Sequence, residues 1–199
     1  MKQWYKDRKK EQFYLKAKKN SVISRAYYKL EEIDKRHKLF SNTVNVLDIG
    51  CSPGGWSQYI LNTKKNSKVV GIDILEMQID LGSQFEFYHQ DLNKYLDLKK
   101  LFEEKNYQFD SIISDIAPNT SGNQFIDQVK SYELSYLSFQ FIDDFLNPNG
   151  SFLVKNFQGE DTQKLFNLIK SKFKKSLYVK PLASDKKSKE IYILGLEKK

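Results

Sequence analysis

At 199 residues with a mean hydropathy of −0.62, the chain is about one domain long and has no apolar run near the ~20 residues needed to cross a bilayer. A single cysteine, Cys51, excludes an intramolecular disulfide or an all-cysteine metal site, and with only His37 and His89 beside it no metal is expected. The net charge of +8 is uneven: residues 1–38 hold 13 Lys/Arg against 5 Asp/Glu and residues 170–189 hold 8 lysines against 1 acid, whereas residues 39–169 hold 10 basic against 17 acidic residues. Basic ends on an acidic middle attract a polyanion. Lysine-rich tails can also serve solubility alone. Here, however, Trp4, Tyr5, Phe13, Tyr14, Tyr27 and Tyr28 are interleaved with the charge, and aromatic faces stack on unpaired bases. A nucleic acid is therefore the expected partner. The N-terminus has no apolar stretch and carries Asp7 and Glu11 among its lysines, unlike a secretory signal. The expected compartment is intracellular and reducing, cytoplasm or mitochondrion, and a removed targeting segment would leave no trace.

Residues 1–23 read as a basic arm and residues 24–199 as the core of a single domain. Ser24 is the expected N-cap of a helix through RAYYKLEEIDKRHKLF, with Ala26, Leu30 and Ile33 at near-helical spacing. Lys29 leans toward that apolar face, where a lysine taken alone reads as a snorkelling side chain. The stretch Val44–Gln58, VNVLDIGCSPGGWSQ, then combines a buried strand, a glycine turn at Gly54 and Gly55, and a helix beginning at Trp56. Such a turn lets backbone approach a ligand, and the helix start offers unpaired N–H groups. It is not the dinucleotide fingerprint: Ser52 stands where a second glycine would admit a pyrophosphate, and Pro53 removes a donor. A strand-end acid without a phosphate cradle suits S-adenosylmethionine (SAM), which presents an amine, a carboxylate and a ribose. For the loop alone, another nucleotide or a purely structural turn remain alternatives.

Lys68–Asp73 reads as a second strand and Phe85–Asp91 as a third, each ending on an acid. Asp73 is placed to accept from ribose hydroxyls and Asp91 from an adenine amine, at the sheet edge where such folds bind ligands. A polar helix over Asn93–Lys105 leads to the strand FDSIISD, ending at Asp115, and to the loop IAPNTSGN. A helix over Asp127–Leu146, an NPNG turn and the strand SFLVKNF with Lys155 follow. A helix over Asp161–Lys172 then precedes strands at Lys174–Val179 and Glu190–Leu196, joined by PLASDKKSK. The alternation predicts an α/β, Rossmann-like fold: a mostly parallel seven-stranded sheet with an antiparallel terminal hairpin and helices on both faces.

Lys155 and Glu190 fall on strands where exposure is unexpected, and Asp115 ends a strand over the cofactor edge. Buried charges of this kind pair with one another or do chemistry. Methyl transfer from SAM needs no metal, only a nucleophile aligned with the methyl group and a base for its proton. Desolvation and a neighbouring sulfonium favour the neutral amine of a lysine, and an adjacent aspartate favours the charged form. Five segments, SRAYYKL, LDIGCSPGGWSQ, SDIAPN, LVKNFQG and SKEIYILG, resemble those of the FtsJ/RrmJ family of SAM-dependent RNA ribose 2′-O-methyltransferases, in the same order across residues 24–199. The resemblance implies a catalytic tetrad of Lys29, Asp115, Lys155 and Glu190, with Lys155 as the base. It also implies a cofactor site at Gly54, Gly55, Trp56, Asp73, Asp91 and Asp115. SPGGWSQ and SDIAPN look closer to the bacterial-type and mitochondrial branch, which implies a uridine of large-subunit ribosomal RNA as acceptor, ribosomal RNA or the large subunit as partner, and a monomer. Cys51-Ser52 in place of two alanines, and SKE in place of Ser-Arg-Glu, are modest departures. The alternatives are a transfer RNA anticodon loop, a messenger RNA cap, or a non-catalytic RNA-binding assembly factor.

Overall fold

Period-two alternation along the central strands sends successive side chains into two separate cores. In the computed structural model, which describes residues 22–41, 43–184 and 188–199, the elements are α1 (Ala26–His37), β1 (Asn45–Ile49), α2 (Gly55–Thr63), β2 (Lys68–Asp73), β3 (Phe85–His89), α3 (Tyr95–Glu104), β4 (Phe109–Ser114), α4 (Gln124–Phe145), β5 (Leu146–Phe157), α5 (Thr162–Lys172), β6 (Phe173–Val179) and β7 (Glu190–Lys198). The aromatics Trp4, Tyr5, Phe13 and Tyr14 lie outside the described residues. Val46, Val69, Ile113, Leu153, Tyr192 and Leu194 pack with Leu30 and Ile33 of α1 and Trp56, Tyr59 and Ile60 of α2. Their strand neighbours Leu47, Val70, Ile112, Phe152, Val154 and Ile193 pack with α3, α4 and α5, where Phe102 meets Tyr107, Phe109 and Phe145 at ring distances of 5.2, 5.8 and 5.4 Å. Burial on both faces explains the near-continuous apolar runs of these strands.

The sheet order is β3-β2-β1-β4-β5-β7-β6. Strands β1 to β5 run parallel, and β7 runs antiparallel to both β5 and β6, as the predicted hairpin requires. The order reverses between β1 and β4, which opens a crevice at the carboxyl ends of the strands. Among the described residues no helix is long and apolar enough to cross a membrane.

Three local expectations change. Ser24 does not cap α1 with its side chain; its hydroxyl is buried without a partner and lies where a Cβ on Gly55 would come within 2.2 Å. Helix α4 begins at Gln124 rather than Asp127, because Asn123 accepts from the N–H groups of Phe125 and Ile126 while Asp127 is drawn to the N–H and hydroxyl of Ser121. The NPNG segment belongs to β5, where the register against β4 shifts and Asn149 takes φ of 60°.

Helix α1 is fixed to α2 by a buried carboxylate. Asp34 accepts from the Phe40 N–H at 3.0 Å and the Tyr59 hydroxyl at 2.8 Å, with the Lys64 ammonium at 3.5 Å. An Asp34→Ala variant strands both donors in the interior and is expected to lose about 3 kcal/mol of unfolding free energy, measured by urea denaturation. A loss below about 0.5 kcal/mol would mean that apolar packing alone seats α1.

Candidate active site

Residues of α1, β5 and β7 and the residue that follows β4 converge, and they bring two buried lysines together with two half-buried acids. The Lys29 ammonium donates to Glu190 Oε1 at 2.7 Å and to the Tyr192 hydroxyl at 3.3 Å. Tyr192 donates in turn to Asp115 Oδ1 at 2.7 Å. The same carboxylate oxygen lies 3.0 Å from Lys155 Nζ, which also donates to the Asp115 carbonyl. The sequence therefore runs Glu190, Lys29, Tyr192, Asp115, Lys155. All four predicted catalytic residues are in it, and Lys29 is a buried member of an ion pair rather than a snorkelling chain.

Burial of this set is supportable only because each charge meets an opposite one. Burial alone would raise the Asp115 carboxyl, but the Lys155 and Lys29 charges and the Tyr192 hydrogen bond outweigh it and hold the group below the usual carboxylate range. Burial, and then the negative charges of Asp115 and Glu190, push the Tyr192 phenol far up, so it remains a hydrogen-bond donor. Three supports around the chain were not read from the sequence. Tyr192 follows Glu190 by two positions and shares its face of β7. Ser184 donates to Glu190 Oε1 at 2.8 Å. Ser131 and Ser135 of α4 bond the backbone of β5: the Ser135 hydroxyl donates to the Lys155 carbonyl at 2.7 Å and Ser131 accepts from the Phe157 N–H at 2.9 Å. The spacing of Ser131, Ser135 and Ser138 along one helix face was the available signal.

Beside Asp115 a cleft of about 410 Å3 runs across the ends of β1, β2 and β4, lined among others by Gly50, Ser52, Asp73, Asp91, Asp115 and Asn119. Gly50 takes φ of 76°, and a Cβ there would meet the Ile116 backbone at 2.8 Å, so a glycine is needed for the β4 loop to close this wall. Asp73 is anchored by the N–H groups of Ser52 at 2.8 Å and Leu75 at 2.9 Å. Asp91 lies beyond β3, not in it, and uses one oxygen to accept from Asn93. Of the predicted cofactor residues, Asp73, Asp91 and Asp115 line the cleft, whereas Gly54, Gly55 and Trp56 are not among its lining residues. Gly54 faces Met77 and Leu81 after β2, with Ile23 farther off, and Gly55 abuts Ser24 ahead of α1. Trp56 is buried, donating from its indole to the Ala26 carbonyl at 2.9 Å and packing on Tyr192 at 5.8 Å between ring centres. It clamps α1, and with it Lys29, onto β7.

Behind this wall Asp48 is completely buried; one oxygen accepts from Ser57 at 2.7 Å and the other has no partner. Burial pushes its carboxyl up to about 7 against the Ser57 hydrogen bond, with the Asp115 and Asp73 charges adding to the rise. An unfolded aspartate titrates near ~4. The raised folded value means that this proton stabilises the fold fully below about pH 4, and that its contribution is lost as pH rises through about 7. Urea denaturation of the unliganded protein is therefore expected to show wild type losing roughly 2–4 kcal/mol between pH 5 and pH 8 relative to Asp48→Asn, which keeps an acceptor for Ser57 without a charge. Parallel pH profiles for the two proteins would mean that Asp48 is ionised throughout.

The reversed sheet order, the acid-lined crevice at the strand ends and the absence of a phosphate-cradling glycine define a Rossmann-like protein that binds a nucleotide-type ligand other than a dinucleotide. Within that class residues 22–198 match the model of the FtsJ-like methyltransferases, and the chain belongs to that family. It is 38% identical over 198 residues to the ribosomal RNA large subunit methyltransferase E of Francisella tularensis subsp. holarctica, covering 98% of this chain and 95% of that protein. The crystal structure of a Plasmodium falciparum protein described as a ribosomal RNA methyltransferase superposes with a TM-score of 0.74 at 33% identity, covering 88% of this chain and 97% of that one. Human methyltransferase-like protein 13, crystallised with SAH, shares the fold at 13% identity, with a TM-score of 0.57 over 80% of this chain and 74% of its own.

Proposed function

We propose that the protein transfers the methyl group of SAM to a ribose 2′-hydroxyl, that of a uridine in large-subunit ribosomal RNA. The observation that carries this reading is the chain of paired charges ending at the buried Lys155, set against the acid-lined cleft through the shared residue Asp115. The cleft fits the cofactor: its acids are strand-end acceptors for ribose hydroxyls and an amine, and nothing in its turn is built to hold phosphate. Asp73 would accept from the cofactor ribose and Asp91 from its adenine amine, while Asp115 belongs both to the tetrad and to the lining of the cleft. When bound, SAM supplies an electrophilic methyl group and departs as the thioether.

The protein's own work is to hold and deprotonate the acceptor. Once its ammonium proton has passed to solvent, the neutral Lys155 amine meets the 2′-hydroxyl and takes its proton as the new C–O bond forms. Asp115 fixes the direction of the Lys155 amine through its carboxylate and its carbonyl. Lys29 and Glu190, locked by Tyr192 and Ser184, hold the ribose so that the hydroxyl faces the cofactor cleft. The acceptor RNA is drawn by the basic ends of the chain.

Methyl transfer from labelled SAM to unmethylated large ribosomal subunits is expected to fall roughly 100- to 10,000-fold in Lys155→Ala, with SAM binding retained in calorimetry. Lys155→Arg, which keeps the cation but cannot serve as a base, is expected to lose as much. Full turnover by either variant would remove Lys155 from the mechanism. Replacing the acceptor nucleotide by its 2′-deoxy analogue is expected to abolish transfer, and methylation of that analogue would refute a ribose acceptor.

A further inference from the structure

A second cleft lies on the far side of the loop that follows Asp115. The first part of that loop, through Asn119, lines the cofactor cleft, while Thr120, Gly122, Gln124 and Gln128 line a separate, open recess of about 300 Å3 against Phe157 and Lys189. Its residues neighbour the tetrad along the chain, although no tetrad residue lines it. Phe157 pairs in register with Glu190 and stands two residues beyond Lys155 on β5, and the Gln158 N–H donates to the Lys189 carbonyl at 2.8 Å. It is also a built surface. Gln128 is held by donating to the Gln158 carbonyl at 2.6 Å, and a Cβ on Gly159 would come within 2.9 Å of the Gln128 side chain. Asp127 fastens the loop through the Ser121 N–H and hydroxyl.

An acceptor ribose seated at Lys155 has the methyl donor on one side of the Asp115 loop, so the base on its C1′ needs room on the other. We infer that the acceptor's nucleobase, turned out of the RNA, occupies the recess formed by Thr120, Gly122, Gln124, Gln128, Phe157 and Lys189. The inference rests on the proposed ribose acceptor. The recess volume is at the low end for ligand sites and suits one base, a pyrimidine, rather than a stack of two. Phe157 supplies a ring for stacking, and the amides of Gln124 and Gln128 supply the donors and acceptors that read a base edge. The open side admits a base already unstacked from its neighbours.

The test uses the full chain and a transcript of large-subunit ribosomal RNA carrying 4-thiouridine at the nucleotide that the wild-type protein methylates. Irradiation with SAM bound is expected to crosslink that base to peptides holding residues 120–128 or 157–159. Crosslinks confined to α1 or to the rim of the cofactor cleft would overturn the inference. In parallel, Phe157→Ala and Gln128→Ala are expected to lower kcat/KM for the RNA about 10- to 100-fold with SAM affinity unchanged. Phe157→Tyr, which keeps the ring, is expected to stay within threefold of wild type. Both alanine variants remaining within twofold would also overturn it. Failure of the wild-type protein to methylate ribosomal RNA at all is a different result, which refutes the proposed acceptor and the inference with it.

Discussion

The structure depends most on the need to bury two lysines at one place. Lys29 and Lys155 are both almost fully enclosed, and neither could be held there without an acid of its own. Glu190 and Asp115 supply those acids, and Tyr192 joins the two pairs by accepting from Lys29 and donating to Asp115. Because the five residues come from α1, β5, β7 and the position that follows β4, satisfying this one electrostatic constraint fixes how four elements meet. In the proposed mechanism, a cluster bound so tightly is preorganised for the acceptor.

The rest of the fold keeps that cluster in position without contributing charge to it. Asp34 seats α1 on α2, and Trp56 ties the start of α1 to Tyr192. Serines of α4 hold the β5 backbone at the Lys155 carbonyl and at the Phe157 N–H just beyond it, which fixes the strand carrying the proposed base. The loop after Asp115 is the partition of the site. One stretch of it faces the crevice at the sheet's switch point, and the next faces the recess beside Phe157. On the proposed reading, donor and acceptor sides are separated by a few residues of backbone, with Asp115 at the junction.

Much of the fold was legible in the sequence because both faces of the sheet are covered. Apolar runs such as KVVGID and FDSIISD have one sensible structure when bounded by turns and polar helices. The changed boundaries are those where side chains compete for backbone groups: Asn123 captured the start of α4 that Asp127 had suggested, and Ser24 turned its hydroxyl toward Gly55. The roles of Tyr192, Ser184 and the α4 serines were not legible, since a tyrosine on a buried strand and serines on a helix are ordinary until their partners are known.

By itself the sequence determined the chemistry available: strand-end acids, lysines in apolar surroundings, a glycine turn unfit for phosphate, and basic ends. Those are local properties, set by residue type and period. Only the tertiary structure decided which charge meets which, since Lys29 and Glu190 are 161 positions apart and Lys155 lies 40 from Asp115. It also decided that Gly55 and Trp56 meet the entry and first turn of α1 while Gly54 packs on Met77, because a glycine turn opens space on whichever side its neighbours arrive. Pairing over such distances depends on sheet order and crossing geometry, which no local pattern encodes.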